Sequence, residues 1–139
     1  MTALRILLVD DFEPYRRFVL SELAPQPEFE VIGHAEDGLE AVQRAEELQP
    51  DLILLDVGLP ALNGIEAGRR IRQVSPNSKI LFLSQESSPD VVEEALRLGA
   101  QGYVLKSDAA SELISAIETL RQGKQFVSCR LEADIIIDY

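Results

Sequence analysis

Short apolar runs alternate with longer stretches in which apolar residues return every third or fourth position. The runs are LRILLVD (4–10), FEVIGHA (29–35), DLILLD (51–56), KILFLS (79–84) and GYVLK (102–106). The first, third and fourth are apolar throughout instead of alternating, the mark of parallel strands covered on both faces. The stretches between them read as amphipathic helices. In 12–24, Tyr15, Phe18, Val19 and Leu23 share a face, and Pro14 lies in the first turn, where its missing N–H does no harm. Val42, Ala45 and Leu48 repeat at helical spacing in 38–48, as do Ile65, Gly68, Ile71 and Val74 in 64–74. The fourth helix opens at SPD, with Ser88 as cap and Pro89 in the first turn, and closes at Gly99, which suits a left-handed C-terminal position. The fifth covers 108–123 with Leu113, Ile117 and Leu120 inward. Five such units in succession predict an α/β fold, an open parallel sheet with helices on both faces.

Composition narrows the class. A chain of 139 residues, 46% of them apolar, has the size of one domain with a substantial core. No apolar run reaches the length of a membrane span, and MTALRILLVDD lacks the basic region and cleavage site of a signal peptide, so the expected location is cytoplasmic. One cysteine excludes an internal disulfide, and Cys129 reads as a small apolar filler. The single His34 reads as structural or solvent-facing, since one histidine builds no zinc site. A net charge of -11 repels phosphate backbones, so direct nucleic-acid binding by this chain is not expected. That charge is either a solvated exterior or, in part, an acidic pocket that holds a cation, and only position separates the two.

Position favours the pocket. The first run ends in Asp10 and Asp11, the third in Asp56, the fourth in Ser84 and the fifth in Lys106. Open α/β sheets bind ligands outside the carboxyl ends of their strands, so these groups would meet at one rim. Taken singly they are weak signals: Asp11 would serve as a helix cap, Asp56 as a cap of the DVGLP turn, and Ser84 and Lys106 as solvated strand ends. Together they define a chemistry. Carboxylates about 4 Å apart repel by roughly 4 kcal/mol at an effective dielectric near 20, so such a group takes up a proton or binds a cation. Oxygen-only ligands with one or two direct carboxylates suit Mg2+, which fills its remaining positions with water and phosphate oxygens. Lys106 adds a positive charge and Ser84 a hydrogen bond. Asp56, ending the middle strand, is the candidate nucleophile, since carboxylates form acyl phosphates and phosphoryl transfer depends on positioning and charge neutralisation.

At this point the chain resembles the receiver domain of two-component response regulators. The resemblance covers residues 4–123 and rests on ILLVDD, DLILLDVGLPALNGIEAGRRIR, KILFLS, ALRLGAQGYVLKSD and ELISAI. It implies a flavodoxin-like three-layer sandwich: a five-stranded parallel sheet of order 2-1-3-4-5 with five helices. It also implies roles. Asp56 would accept a phosphoryl group from a phosphohistidine on a sensor histidine kinase. Asp11, Asp56 and the backbone carbonyl of Gly58 would bind Mg2+ directly, and Asp10 through water. Lys106 and Ser84 would contact phosphoryl oxygens. Tyr103 would be the switch aromatic, turning inward as Ser84 moves toward the phosphoryl group. Such a chain is a phosphoacceptor switch, not an enzyme, and at most catalyses its own phosphorylation and dephosphorylation. Its output would leave through the surface of the fourth helix, fifth strand and fifth helix.

GYVLKSD and RQGKQFVS are most like receivers that precede a LuxR-type helix-turn-helix, which implies control of transcription. The expected organisation is a receiver at 1–124 and a linker-like tail at 125–139, with the DNA-binding output module absent from this chain and a homodimer among the expected partners. The tail's DIIIDY suits a short helix, a partner contact or the stub of something longer. Three positions depart from the pattern. Gln85 stands where a small residue is usual and narrows access to the phosphoryl group. Ser107 follows Lys106 in place of the common Pro, which argues against a cis bond. Gly58 and Glu86 occupy positions that tune phosphoryl lifetime. Two alternatives follow: a degenerate receiver used only for binding, and a Mg2+-dependent phosphatase, for which Gly58 replaces the second acid usual two residues after the nucleophile. A nucleotide- or flavin-binding module ranks last, since DDFEPY is no Gly-rich phosphate loop.

Overall fold

The computed structural model describes residues 3–132. Its elements are β1 (Leu4–Val9), α1 (Glu13–Leu23), β2 (Phe29–Ala35), α2 (Gly38–Leu48), β3 (Leu52–Leu55), α3 (Gly64–Val74), β4 (Lys79–Ser84), α4 (Pro89–Arg97), β5 (Gly102–Leu105), a 3-10 turn (Lys106–Asp108), α5 (Ala109–Arg121), β6 (Phe126–Val127) and α6 (Cys129–Glu132). All strand pairs are parallel, in the order β2-β1-β3-β4-β5-β6. The first five strands follow the expected 2-1-3-4-5 order, and the short β6 and α6 add to the expected five strands and five helices.

Strand alternation divides the core into two layers. Leu7, Val9, Ile53, Leu55, Ile80, Phe82 and Tyr103 face α2, α3 and α4, where Ala41, Ala45, Ile71, Val92 and Ala95 are buried. Ile6, Leu8, Leu52, Leu54, Leu81 and Val104 face α1 and α5 through Val19, Leu23, Leu113, Ile117 and Leu120. Both faces are covered, which is why the first, third and fourth runs are continuously apolar.

The helix ends follow local chemistry. Asp37 caps α2 by accepting from the Glu40 N–H at 2.8 Å, while Glu40 reaches back to the Glu36 N–H at 2.7 Å. Asn63 caps α3 by accepting from the Glu66 N–H at 3.0 Å. Gly99 has φ +109, the left-handed geometry expected after α4. Ser88 stands at the N-cap of α4, but its side chain makes no capping bond. Its N–H donates instead to Glu86 Oε1 at 3.1 Å, so Glu86 organises that entry. Cys129 departs from its expected place too: it is exposed on α6, because Val127, Ser128 and Leu131 take the inward positions of that segment. His34 is exposed on β2, as expected. The DIIIDY stretch lies outside the described residues. Among those described, no helix is long and apolar enough to cross a membrane.

The chain order reverses direction across the sheet at β1, which has β2 on one side and β3 on the other. Such a switch point opens a crevice at the carboxyl ends of the strands.

Candidate functional site

Strand register brings the predicted residues together. Val9 pairs with Leu55, which sets Asp10 level with Asp56 on the neighbouring strand ends. The Asp56 N–H donates to the Val9 carbonyl at 3.2 Å, and the Asp10 N–H to the Ala35 carbonyl at 3.1 Å, so both backbones are held by the sheet. On the other side Ser84 pairs with Leu105, one residue before Lys106. One carboxylate oxygen from each of Asp10, Asp11 and Asp56 lies within 4.8 Å of the others. Lys106 Nζ sits between two of them, 2.6 Å from Asp10 Oδ2 and 3.0 Å from Asp56 Oδ2.

The three acids are not equivalent. Asp10 is 2% exposed and lies behind the others, while Asp11 is exposed in front. Asp11 does not cap α1, whose N-cap residue is Phe12. Asp10 Oδ1 accepts from the Phe12 N–H at 2.9 Å, which turns the chain out of β1. Asp56 Oδ1 accepts from the Gly58 N–H at 3.3 Å, so the turn-capping role and the cluster role coincide in one carboxylate. An open cleft of about 470 Å³ fronts the group, walled by Asp11, Phe12, Tyr15, Asp56, Val57, Gly58, Ser84, Gln85, Glu86 and Lys106. Ser84 Oγ accepts from the Glu86 N–H at 3.1 Å, which shapes the loop leaving β4. Gln85 is exposed on the wall of the cleft.

Tyr103 lies beside this cleft, not in it. Its ring is fully buried against Phe82, with centroids 6.0 Å apart, and its hydroxyl donates to the Glu86 carbonyl at 2.7 Å. The ring is thus inward, and its tip holds the loop that starts at Ser84.

Burial and charge compete across the site. Burial raises the Asp10 carboxyl above its ordinary range, partly offset by Lys106 and the Phe12 N–H. Burial alone would lower the Lys106 ammonium, but the hydrogen bonds and charges of Asp10 and Asp56 outweigh it and raise its pKa. Burial pushes the Tyr103 hydroxyl up to about 12. The Tyr15 hydroxyl is raised as well, by burial first and by Asp10 and Asp56 next. Three carboxylates against one ammonium leave a local excess of negative charge, and the donor set is all oxygen. That set fits a hard divalent cation such as Mg2+.

Sequence reasoning missed three contributors. Tyr15 stood out only as an apolar position, yet its hydroxyl donates to the Lys106 carbonyl at 3.1 Å and its ring lies 4.6 Å from Lys106 Nζ. Arg16 is buried, with Nη1 donating to the Asp10 carbonyl at 2.6 Å and Nη2 3.3 Å from Glu36. Gly64 passes so close to β3 that a Cβ there would lie 1.9 Å from the Asp56 carbonyl oxygen. The Asn-Gly pair at 63–64 was the available signal for that close approach.

Comparison with known proteins agrees with this geometry. Residues 6–118 match the family described as the response regulator receiver domain. The chain is 38% identical over 136 residues to the transcriptional regulatory protein DegU of Brevibacillus brevis, covering 98% of this chain and 58% of that protein. It is 34% identical over 113 residues to the chemotaxis protein CheY of Thermotoga maritima, covering 81% of this chain and 93% of that one. A solved LuxR-family two-component response regulator from Aurantimonas sp. SI85-9A1 superposes with a TM-score of 0.89 at 34% identity, covering 96% of this chain and 94% of that one. The chain spans about three fifths of the length of its DegU, LiaR and LnrK relatives, at 58%, 63% and 62%. With the receiver topology, the acidic rim and these matches in place, the chain belongs to the response regulator receiver domain family.

Proposed function

We propose that this chain is a phosphorylation-controlled switch whose acceptor is Asp56. The observation that carries the reading is the Lys106 ammonium bridging Asp10 and Asp56 while Asp11 shares their rim. An Asp56 carboxylate oxygen attacks the phosphorus of a phosphohistidine on a sensor histidine kinase. The P–O bond to Asp56 forms as the P–N bond breaks, and its electron pair returns to the imidazole. Asp11, Asp56 and the Gly58 carbonyl would hold Mg2+, with Asp10 acting through water, and the ion would supply neutralising charge for the phosphoryl oxygens. Lys106, already beside Asp56, offers its ammonium to one phosphoryl oxygen. Ser84 offers its hydroxyl proton to another, and turning to reach it shifts the oxygen that accepts from the Glu86 N–H. Any movement of Ser84 disturbs the loop that Tyr103 holds, so Ser84 and Tyr103 form the switch and α4, β5 and α5 carry its output.

This is a covalent modification of the chain itself, and any catalysis is limited to its own phosphorylation and dephosphorylation. Gly58 offers no second acid two residues after Asp56, which disfavours a phosphatase. The relatives named above as transcriptional regulators support a role in transcription, with a helix-turn-helix output module and a homodimer as partners. The residues up to 124 supply the receiver, and those from 125 on lead toward the output.

The test is phosphoryl uptake from acetyl phosphate or phosphoramidate with Mg2+, read by intact-mass spectrometry. One adduct is expected on the wild type and none on Asp56→Asn. A second reading, a degenerate receiver that only binds partners, draws on exposed Gln85 at the cleft wall. A folded wild type that takes up no phosphoryl group would favour it over the phosphoacceptor reading.

A further inference from the structure

Residues 126–131 are tied to both sides of Lys106. The Ser128 N–H donates to the Tyr103 carbonyl at 2.9 Å, extending the β5–β6 pairing past Val127. The Ser128 hydroxyl accepts from the Leu105 N–H at 2.9 Å and donates to Glu112 Oε1 at 2.6 Å. The other Glu112 oxygen accepts from the Cys129 N–H at 3.2 Å. Arg130 pairs with Asp108 Oδ1 at 3.1 Å, and Asp108 ends the 3-10 turn that begins at Lys106. Ser128 is 0% exposed and Leu131 3%, so the Ser128 bonds lie within the fold, while those of Cys129 and Arg130 lie at its surface. A hydroxyl is the group the position needs. It accepts from the buried Leu105 N–H and donates to the half-buried Glu112, whereas a methyl removes both bonds.

We infer that Ser128 and Glu112 form a clasp that positions Lys106 for the phosphoryl group and carries its displacement into the segment after α5. The inference rests on Asp56 being the phosphoacceptor. Neither residue touches Asp56, so both are positioning residues. Leu105 before Lys106 and Asp108 after it are each bonded to the post-α5 segment. A shift of Lys106 away from Asp10 or Asp56 therefore moves groups that Ser128 and Arg130 hold. The coupling is reciprocal: if phosphoryl occupancy alters the clasp, loosening the clasp alters affinity for the phosphoryl group by the same factor.

The test uses the full chain and two variants, Ser128→Ala and Glu112→Gln. Calorimetry measures Mg2+ affinity alone and then beryllium fluoride affinity at saturating Mg2+. Hydrogen exchange of 126–131 is followed with and without beryllium fluoride. The expected result is Mg2+ affinity no weaker than in the wild type, because the three aspartates are untouched and a displaced ammonium competes less with the ion, with beryllium fluoride affinity weakened at least about 5-fold. In the wild type, beryllium fluoride should change exchange at 126–131. A merely structural serine would lower thermal stability and leave the fluoride affinity of the folded variant as it was. Folded variants that bind beryllium fluoride like the wild type, with exchange at 126–131 indifferent to it, overturn the clasp while leaving the phosphoacceptor reading intact. A wild type that binds neither Mg2+ nor beryllium fluoride removes the phosphoacceptor reading and the clasp with it. If Ser128→Ala does not fold, Glu112→Gln and the wild-type exchange experiment decide.

Discussion

Replacing Lys106 with Met isolates the electrostatics of the site. The ammonium lies 2.6 Å from Asp10 Oδ2 and 3.0 Å from Asp56 Oδ2, with side-chain exposures of 10%, 3% and 9% for Lys106, Asp10 and Asp56. At an effective dielectric near 20, each contact is a gross attraction of about 6 kcal/mol, most of which offsets the desolvation of three charges. What the variant loses is the cost of leaving two buried carboxylates without their cation, about 3 kcal/mol, the low end for a broken buried pair because the cleft admits water. For a domain of this size that lowers the melting temperature by roughly 10 °C. The same loss improves the site for a divalent cation, since Mg2+ no longer competes with an ammonium. Mg2+ affinity should rise at least about tenfold, equivalent to about 1.4 kcal/mol. Mg2+ should therefore restore more stability to the variant than to the wild type. The assay is thermal unfolding in chelator and across a Mg2+ series, with calorimetry for the binding constant. A variant as stable as the wild type in chelator, with unchanged Mg2+ affinity, would refute the claim that Lys106 balances this acidic pair.

Three other outcomes are expected. Ala61 is exposed with φ +67, a conformation that costs an L-residue about 1–2 kcal/mol, of which glycine's greater unfolded-state freedom takes back about 0.5–1. Ala61→Gly should thus stabilise the fold by up to about 1 kcal/mol in urea unfolding, and a destabilised variant would contradict the backbone assignment. Gly64→Ala places a methyl 1.9 Å from the Asp56 carbonyl oxygen, so it should displace β3 or α3 and slow phosphoryl uptake from phosphoramidate more than any exposed substitution; an unchanged rate would show that this approach is not needed. Tyr103 should make stability fall at high pH. Its folded pKa, about 12, is above the ordinary value of 10.0, so its contribution is whole below pH 10 and is lost as pH rises through about 12. Tyr103→Phe should reduce the slope over that interval, the raised Tyr15 and Lys106 keeping the rest of it, and an equal alkaline slope in both proteins would count against the buried hydroxyl.

The strands were legible because a doubly covered sheet requires unbroken apolar runs, and the acidic rim was legible because parallel strands deliver their carboxyl ends to one edge. Strand order came only with the family resemblance, since periodicity says nothing about which strands are neighbours. The burial difference between Asp10 and Asp11 was invisible: adjacent aspartates look alike until the Phe12 N–H and Lys106 select one. Arg16 escaped notice because a helical arginine ordinarily faces water, and here the Asp10 carbonyl and Glu36 draw it inward. Tyr15 supports a lysine 91 residues away, a relation that no local pattern encodes. The two residues of β6 are too few for any alternation to register, and Ser128 gained meaning only once Leu105 and Glu112 stood on either side of its hydroxyl.

The central claim is tested most directly at Asp56 itself. After exposure to phosphoramidate and Mg2+, borohydride reduction converts an aspartyl phosphate to homoserine, and peptide mass mapping locates it. The account predicts homoserine at residue 56, dependent on both the phosphodonor and Mg2+. An unaltered Asp56 in a folded chain, or an adduct confined to another residue, would contradict it.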